Sequence, residues 1–212
     1  MDKNDYEKNF NDLSRQNYYS DNKSLWNSLS TLYTNQHIDP PVIEFVEEIE
    51  KQTIKTMKIF EYGCSSGMNL NYLKNKGFLN LSGVDISETA INFGKQKFDL
   101  NIWVDDYTKE KIIEHKYDFV FCRAVLQHIE YTDVLNVLRN FYKILNNDGI
   151  LLFSECYQTS WTFGRVSGHR VYNTFNHNWI DALKETGFLV VENKNENFSI
   201  FKCKKIINES NI

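Results

Sequence analysis

Ile59-Phe60-Glu61-Tyr62-Gly63-Cys64-Ser65-Ser66-Gly67 is an apolar run that ends in an acid-x-Gly-x-x-x-Gly turn. The spacing predicts a buried strand feeding a tight turn and then a helix that begins near Gly67. Glycine lets a backbone turn sharply and approach a ligand closely, and the N–H groups of such a turn and of the following helix are expected to face the ligand. Glu61 bears on which ligand that is. A carboxylate at this place repels a pyrophosphate, and the Gly-x-Gly-x-x-Gly dinucleotide fingerprint is missing because Ser65 stands at its second glycine.

The turn resembles the first motif of the class I S-adenosylmethionine (SAM) dependent methyltransferases, apolar-apolar-(Asp/Glu)-x-Gly-Cys-Gly-x-Gly. Glu61, Gly63, Cys64 and Gly67 match it, and Ser65 departs from the middle glycine. A zwitterionic sulfonium cofactor tolerates a carboxylate beside its amino group, which a dinucleotide does not. The resemblance covers residues 40–204, and its motifs stand in the family's order. It implies the seven-stranded sheet of that family, SAM as cofactor and S-adenosylhomocysteine as product.

Outward from the turn, strands and helices alternate. Strands are expected at Lys58 to Tyr62, Leu81 to Val84, Asn101 to Val104, Tyr117 to Cys122 and Ile150 to Ser154. Between them lie a helix carrying Leu70 and Leu73 that Gly77 ends, one capped by Ser87, and one capped by Thr132 with Val134, Leu138, Phe141 and Leu145 at helical spacing. Asn147-Asp148-Gly149 reads as the turn into the fifth strand. A helix from Trp179 to Thr186 ends at Gly187, and Leu189 to Glu192 with Phe198 to Lys202 read as an antiparallel hairpin. This alternation predicts an α/β fold, a doubly wound and mostly parallel sheet with an antiparallel end. Residues 1–38 are expected to form a helical cap, 39–205 the catalytic domain, with a helix opened by Asp39-Pro40-Pro41, and 206–212 a tail.

Composition narrows the partners. The 212 residues fit one domain, with 42% apolar and 25% charged residues. A net charge of −4 disfavours a long nucleic-acid footprint, and no apolar run is long enough for a membrane span. The acidic, polar start has no signal-peptide core, so a cytoplasmic protein acting on a small molecule is expected. Cys64, Cys122, Cys156 and Cys203 lack paired metal spacing and read as buried thiols, so no metal is expected.

The resemblance also implies roles beyond the first motif. Asp85, at the end of the second strand, is placed to hold the ribose hydroxyls, with Ile86 against adenine. The plain alternative for Asp85 is a helix N-terminal acid favoured by the dipole. One of Asp105 and Asp106, with a lean to Asp106, accepts from the adenine amino group, and Trp103 reads as core before adenine flank. Arg123 and Ala124, in Arg123-Ala124-Val125-Leu126-Gln127-His128-Ile129, would pass beneath the methionine part by their backbone. The Asn/Asp-Pro-Pro-Tyr of many amino-group methyltransferases does not follow the fourth strand, which argues against a base's exocyclic amine as acceptor and, less strongly, for an oxygen or carbon acceptor.

The aromatic and basic stretch 156–178 suits an acceptor lid, with Tyr157, Arg165, Arg170 and Tyr172 as substrate contacts. His128 and His169 rank ahead of His177 and Glu155 as general bases, and packing near the cofactor is the competing role for His128. An oxygen of a sugar, a phosphate-linked compound or another polar metabolite, including a surface-glycan precursor, is the expected acceptor. A SAM-binding subunit without catalysis is the alternative, and a nicotinamide oxidoreductase fits poorly.

Overall fold

The computed structural model describes residues 23, 24, 26, 27, 30, 43–109, 115–129, 131–156, 164–166, 170–172, 178–195 and 198–206. Its main sheet has seven strands: β1 (Lys58–Tyr62), β2 (Asn80–Asp85), β3 (Asn101–Val104), β4 (Tyr117–Arg123), β5 (Leu145–Cys156), β8 (Phe188–Asn195) and β9 (Phe198–Lys205). Their spatial order is β3-β2-β1-β4-β5-β9-β8. The first five run parallel, and β9 enters antiparallel between β5 and β8. The expected α/β class, seven-stranded mostly parallel sheet and antiparallel end are all present. The order reverses beside β1, so the crevice at the carboxyl ends of β1 and β4 is where such sheets bind ligands.

Helices α1 (Ile43–Gln52), α2 (Met68–Asn75) and α3 (Glu88–Phe98) cover one face, and α4 (Tyr131–Ile144) and α5 (Trp179–Glu185) cover the other. The strand period of two divides the side chains between them. Ile59, Phe119, Phe121 and Leu152 pack with Phe45, Ile49, Leu70 and Ile91, whereas Phe60, Tyr62, Val120 and Phe153 pack with Leu138, Phe141 and Leu183. Phe60 stacks on Tyr107 at 5.7 Å and lies 6.0 Å from Trp103, which places that indole against the core.

Three local expectations change. Thr132 lies inside α4, which begins at Tyr131, so it is not the cap. β5 starts at Leu145, directly after α4, because Leu145 pairs with Tyr117 and the next pairing joins Ile150 to Phe119. The expected turn is therefore an insertion within the strand, held where Asn146 Nδ2 donates to Asp118 Oδ1 (2.6 Å) while Asp118 Oδ2 accepts from the Lys58 N–H (2.8 Å). Ile206 also belongs to the fold: its N–H donates to Gly187 O and its carbonyl accepts from Tyr142 Oη.

In the stretch expected as an acceptor lid, β6 (Gly164–Val166) and β7 (Arg170–Tyr172) pair as a separate antiparallel ribbon. Among the described residues no helix is long and apolar enough to cross a membrane.

Candidate functional site

The β1 strand delivers Glu61 into the interior and then turns through Gly63 (φ 70°), Ser65 (φ 49°) and Gly67 (φ 81°) into α2. Ser65 is the residue that departs from the family motif, and it holds a left-handed conformation that costs a non-glycine residue about 1–2 kcal/mol. A restraint offsets that strain. The Ser65 N–H donates to Asp85 Oδ2 at 2.8 Å, so the acid at the end of β2 braces the turn. The Cys64 N–H donates to Val84 O and the Gly67 N–H to Cys64 O, so three N–H groups of the turn are used within the protein instead of facing a ligand.

Glycine at 63 and 67 has a packing reason as well. A Cβ on Gly63 would lie 2.3 Å from Val125 Cγ2, and one on Gly67 would lie 2.5 Å from Leu100 Cδ1. Within α3, a Cβ on Gly94 would lie 2.2 Å from the carbonyl oxygen of Ser66, so that glycine brings the helix against the turn. A lone glycine in a helical stretch was the only signal for it.

Glu61 is 3% exposed, and its Oε1 accepts from Asn69 Nδ2 at 2.8 Å. Oε2 is buried with no hydrogen-bond partner. Burial pushes the Glu61 carboxyl up to about 8; the Asn69 bond opposes this, and the nearby Asp85 charge adds to it. Burial of an unpaired carboxylate oxygen is costly, and a cationic amine at Oε2 would relieve it. Burial also raises the Cys64 thiol well above its ordinary range, so Cys64 packs and is not a nucleophile.

Asp85 takes the helix-start role weighed for it and braces the glycine turn as well. Its Oδ1 accepts from the Ser87 N–H (2.8 Å) at the start of α3, while Oδ2 holds Ser65. Burial raises its carboxyl, opposed by the N–H groups of Ser87, Ser65 and Ile86. A carboxylate accepts at about four positions, so these three N–H groups leave room for a ribose hydroxyl. The Asp105 N–H donates to Asp85 O, Asp105 Oδ1 accepts from the Asp106 N–H (2.7 Å), and Asp106 Oδ1 accepts from the Thr108 N–H (2.9 Å). Asn136 and Asn140 of α4 hold this loop by donating to Thr108 O, Tyr107 O and Lys109 O.

After β4, Arg123 leads into Ala124, a non-glycine residue at φ 55° whose N–H donates to Ser154 O at 2.8 Å. A 3-10 turn, Leu126–His128, follows. Glu155, fully buried at the end of β5, accepts from the N–H groups of Val125 (3.2 Å) and Leu126 (2.9 Å) at Oε1 and of Gln127 (3.1 Å) at Oε2. Burial pushes its carboxyl up to about 7 against those bonds. Glu155, ranked among the bases, is thus a backbone cap.

His128 is buried, with Nε2 at 3.3 Å from Gln127 Nε2 and its ring 5.3 Å from that of Trp26. Asn27, next to Trp26, touches the other side of the crevice: its Oδ1 accepts from the Thr89 N–H (3.1 Å) and lies 3.0 Å from Ser87 Oγ. Ser30 Oγ lies 2.9 Å from Ser87 Oγ. The described residues 23, 24, 26, 27 and 30 are helical, and their contacts bridge the exits of β2 and β4. Sequence reasoning found a helical cap there but neither of these contacts.

Tyr157, His169 and His177 lie outside the described residues. For Arg165, Arg170 and Tyr172 the backbone alone is described, on β6 and β7. Cys122 and Cys203 are free and buried, and among the described residues no group of three potential metal ligands occurs.

A parallel sheet with an acid-bearing glycine turn after β1, an acid after β2 and a capped turn after β4 defines a Rossmann-like nucleoside-cofactor fold. The methyltransferase domain model matches residues 35–193, and the chain belongs to that family, the class I SAM-dependent methyltransferases. It is 24% identical over 165 residues to phosphoethanolamine N-methyltransferase 1 of Arabidopsis thaliana, covering 72% of this chain and 33% of that protein. It is 27% identical over 124 residues to malonyl-[acyl-carrier protein] O-methyltransferase of Bacillus anthracis, covering 57% and 42%. The chain therefore spans about a third to a half of the length of such curated relatives. Among solved structures, a TehB-like SAM-dependent methyltransferase from Corynebacterium glutamicum superposes with a TM-score of 0.62 at 19% identity, covering 76% of this chain and 86% of that one. The glycopeptide N-methyltransferase MtfA complexed with SAM gives 0.66 at 9% identity, covering 78% and 95%. Such identities speak for the fold.

Proposed function

We propose that the protein binds SAM in the crevice at the exits of β1, β2 and β4 and transfers its methyl group to an oxygen of a small polar acceptor. The observation that carries the reading is the buried, unpartnered Glu61 Oε2 beside a glycine turn. Glu61 accepts from the amino group of the cofactor, Asp85 from the ribose hydroxyls, and Asp105 or Asp106 from the adenine amine. Ile86 packs against the adenine, and the backbone of Arg123 and Ala124 lies beneath the methionine part. SAM supplies an already electrophilic methyl group. The protein then has to align donor and acceptor, which is worth about 7–11 kcal/mol, and to take up a proton, worth roughly a hundred- to ten-thousand-fold in rate.

An oxygen acceptor is favoured by Arg123-Ala124-Val125-Leu126 standing where amino-group enzymes carry Asn/Asp-Pro-Pro-Tyr. A sugar or a phosphate-linked metabolite, as in surface-glycan precursors, suits the basic and aromatic residues Tyr157, Arg165, Arg170 and Tyr172. The N-terminal segment closes the crevice through Trp26 and Asn27. His128 and His169 are the proposed bases. That His128 is packed between Trp26 and Gln127 favours a second reading, a SAM-binding partner subunit without catalysis.

Incubation with methyl-labelled SAM and a small-molecule extract separates the two readings. Label on an acceptor supports the enzyme, whereas binding without label supports the subunit. With an acceptor in hand, His128→Ala should lower turnover about a hundredfold and leave SAM affinity nearly unchanged. Full turnover in both His128→Ala and His169→Ala would remove both residues as bases.

A further inference from the structure

We infer that Glu155 is a positioning residue for the cofactor site: from the end of β5 it sets the shape of the donor turn after β1 without touching the cofactor. The inference rests on the reading of that turn as the SAM site.

Two rigid links run between them. In the first, the Glu155 carboxylate gathers three consecutive N–H groups, those of Val125, Leu126 and Gln127, with both oxygens engaged. Those N–H groups open the 3-10 turn and have no intrahelical acceptor, so the side chain supplies the one that the chain lacks there. The neighbouring Ala124 N–H is held by Ser154 O, so four consecutive residues hang from the Ser154 carbonyl and the Glu155 side chain of β5. Ala124 is thereby kept at φ 55°, which an alanine does not choose unaided.

In the second link, Val125 carries this placement across the crevice. Its two methyl groups occupy the space where a Cβ of residue 63 would stand, 2.3 and 2.9 Å away, so Val125 is a wedge against the Gly63 backbone. Gly63 directly precedes Cys64 and Ser65, which are tied to Val84 and Asp85. A shift of Val125 is therefore passed to the turn that Glu61 and Asp85 share. Glu155 touches Cys122 Sγ at 3.8 Å and otherwise spends its acceptors on this loop. A catalytic role for the carboxylate is disfavoured by its complete burial and by those three bonds.

The test compares Glu155→Ala and Glu155→Gln with Leu183→Ala, a fully buried core substitution in α5 that forms none of the hydrogen bonds of the first link. Affinity for S-adenosylhomocysteine is measured by calorimetry well below each melting temperature, and the backbone amide shifts of Gly63 and Gly67 are followed by NMR without ligand. Glu155→Ala should weaken binding at least about tenfold and move the Gly63 amide, since three N–H groups lose their acceptor. Glu155→Gln keeps one carbonyl acceptor and should recover part of both effects. Leu183→Ala should lower the melting temperature, with less than about twofold loss of affinity and no Gly63 shift, because all the acceptors of the loop after β4 stay in place. Wild-type affinity in Glu155→Ala, or an equal loss in Leu183→Ala, overturns the inference. If Glu155→Ala does not fold, Glu155→Gln decides by the same two readouts. If the wild-type protein itself ignores S-adenosylhomocysteine, the cofactor reading falls, and the Gly63 shift still decides whether the latch exists.

Discussion

At the residue scale, Glu61 links a buried proton to stability. Its carboxyl lies near 8 in the folded protein against 4.5 for an ordinary glutamate, chiefly because of burial. The folded state therefore holds the proton more tightly than the unfolded chain. The stability this lends is fully present below pH about 4.5 and is lost as pH rises through about 8. Glu61→Gln removes the dependence, and the variant should melt at least about 3 °C above the wild type at pH 9, with the gap closing below pH 5. Thermal scans across that range check it, and a gap independent of pH would show that Glu61 does not titrate there. Gly63 is the second case. A turn glycine suggests obstruction of the cofactor as the cost of a side chain, but the structure puts Val125 in that space. Gly63→Ala should lose about 1–3 kcal/mol by denaturant unfolding, and Val125→Ala in the same chain should return part of it. No recovery in the double variant would mean that the positive φ alone sets the cost.

At the element scale, the helical turn around Trp26 and Asn27 is held by contacts to both sides of the crevice and by a weak exposed ion pair, Lys23 to Glu88 at 3.7 Å. Asn27→Ala removes the acceptor at the Thr89 N–H and the contact with Ser87 Oγ. Hydrogen exchange in 23–30 should then speed up about tenfold or more while β1 and β4 exchange as before. Unchanged exchange would place the hold on the contacts of Trp26, Ser30 and Lys23. The strands were legible because a period of two with buried runs fixes them: β1 and β3 have the bounds read from sequence, and β2, β4, β5, β8 and β9 extend beyond theirs. Thr132 and Asn147-Asp148-Gly149 were misread because tertiary pairing overrode local propensity. A threonine was absorbed into α4, and the turn residues became an insertion tied to Asp118. In the site, Glu61 and Asp85 were legible from their places at strand ends. Glu155 also ends a strand, but its role depends on the fold of a loop some thirty residues earlier, and no local pattern reports that.

At the scale of the whole molecule, five strand exits converge on one crevice whose parts are tied to one another: Ser65 to Asp85, Asp105 to Asp85, Val125 to Gly63 and Glu155 to the turn after β4. A ligand bound there engages the sheet through several strands at once, so its binding energy should appear in global unfolding. Ligand at a hundred times its Kd adds about 2.7 kcal/mol, which for a domain of this size raises the melting temperature by roughly 5–11 °C. SAM and S-adenosylhomocysteine should both do this, and NAD should not at pH 9, where the Glu61 carboxyl is ionised and repels a pyrophosphate. The rise should also depend on pH. A cationic amine pairs with ionised Glu61, so binding near pH 7 must displace a proton from a carboxyl that lies near 8. The melting shift at fixed SAM should therefore be larger at pH 9 than at pH 6. Calorimetry at pH 7 in two buffers of different ionisation enthalpy should show proton release, and Glu61→Gln should abolish it. Equal stabilisation by NAD, or proton-neutral binding of SAM by the wild-type protein, would take Glu61 out of the cofactor site.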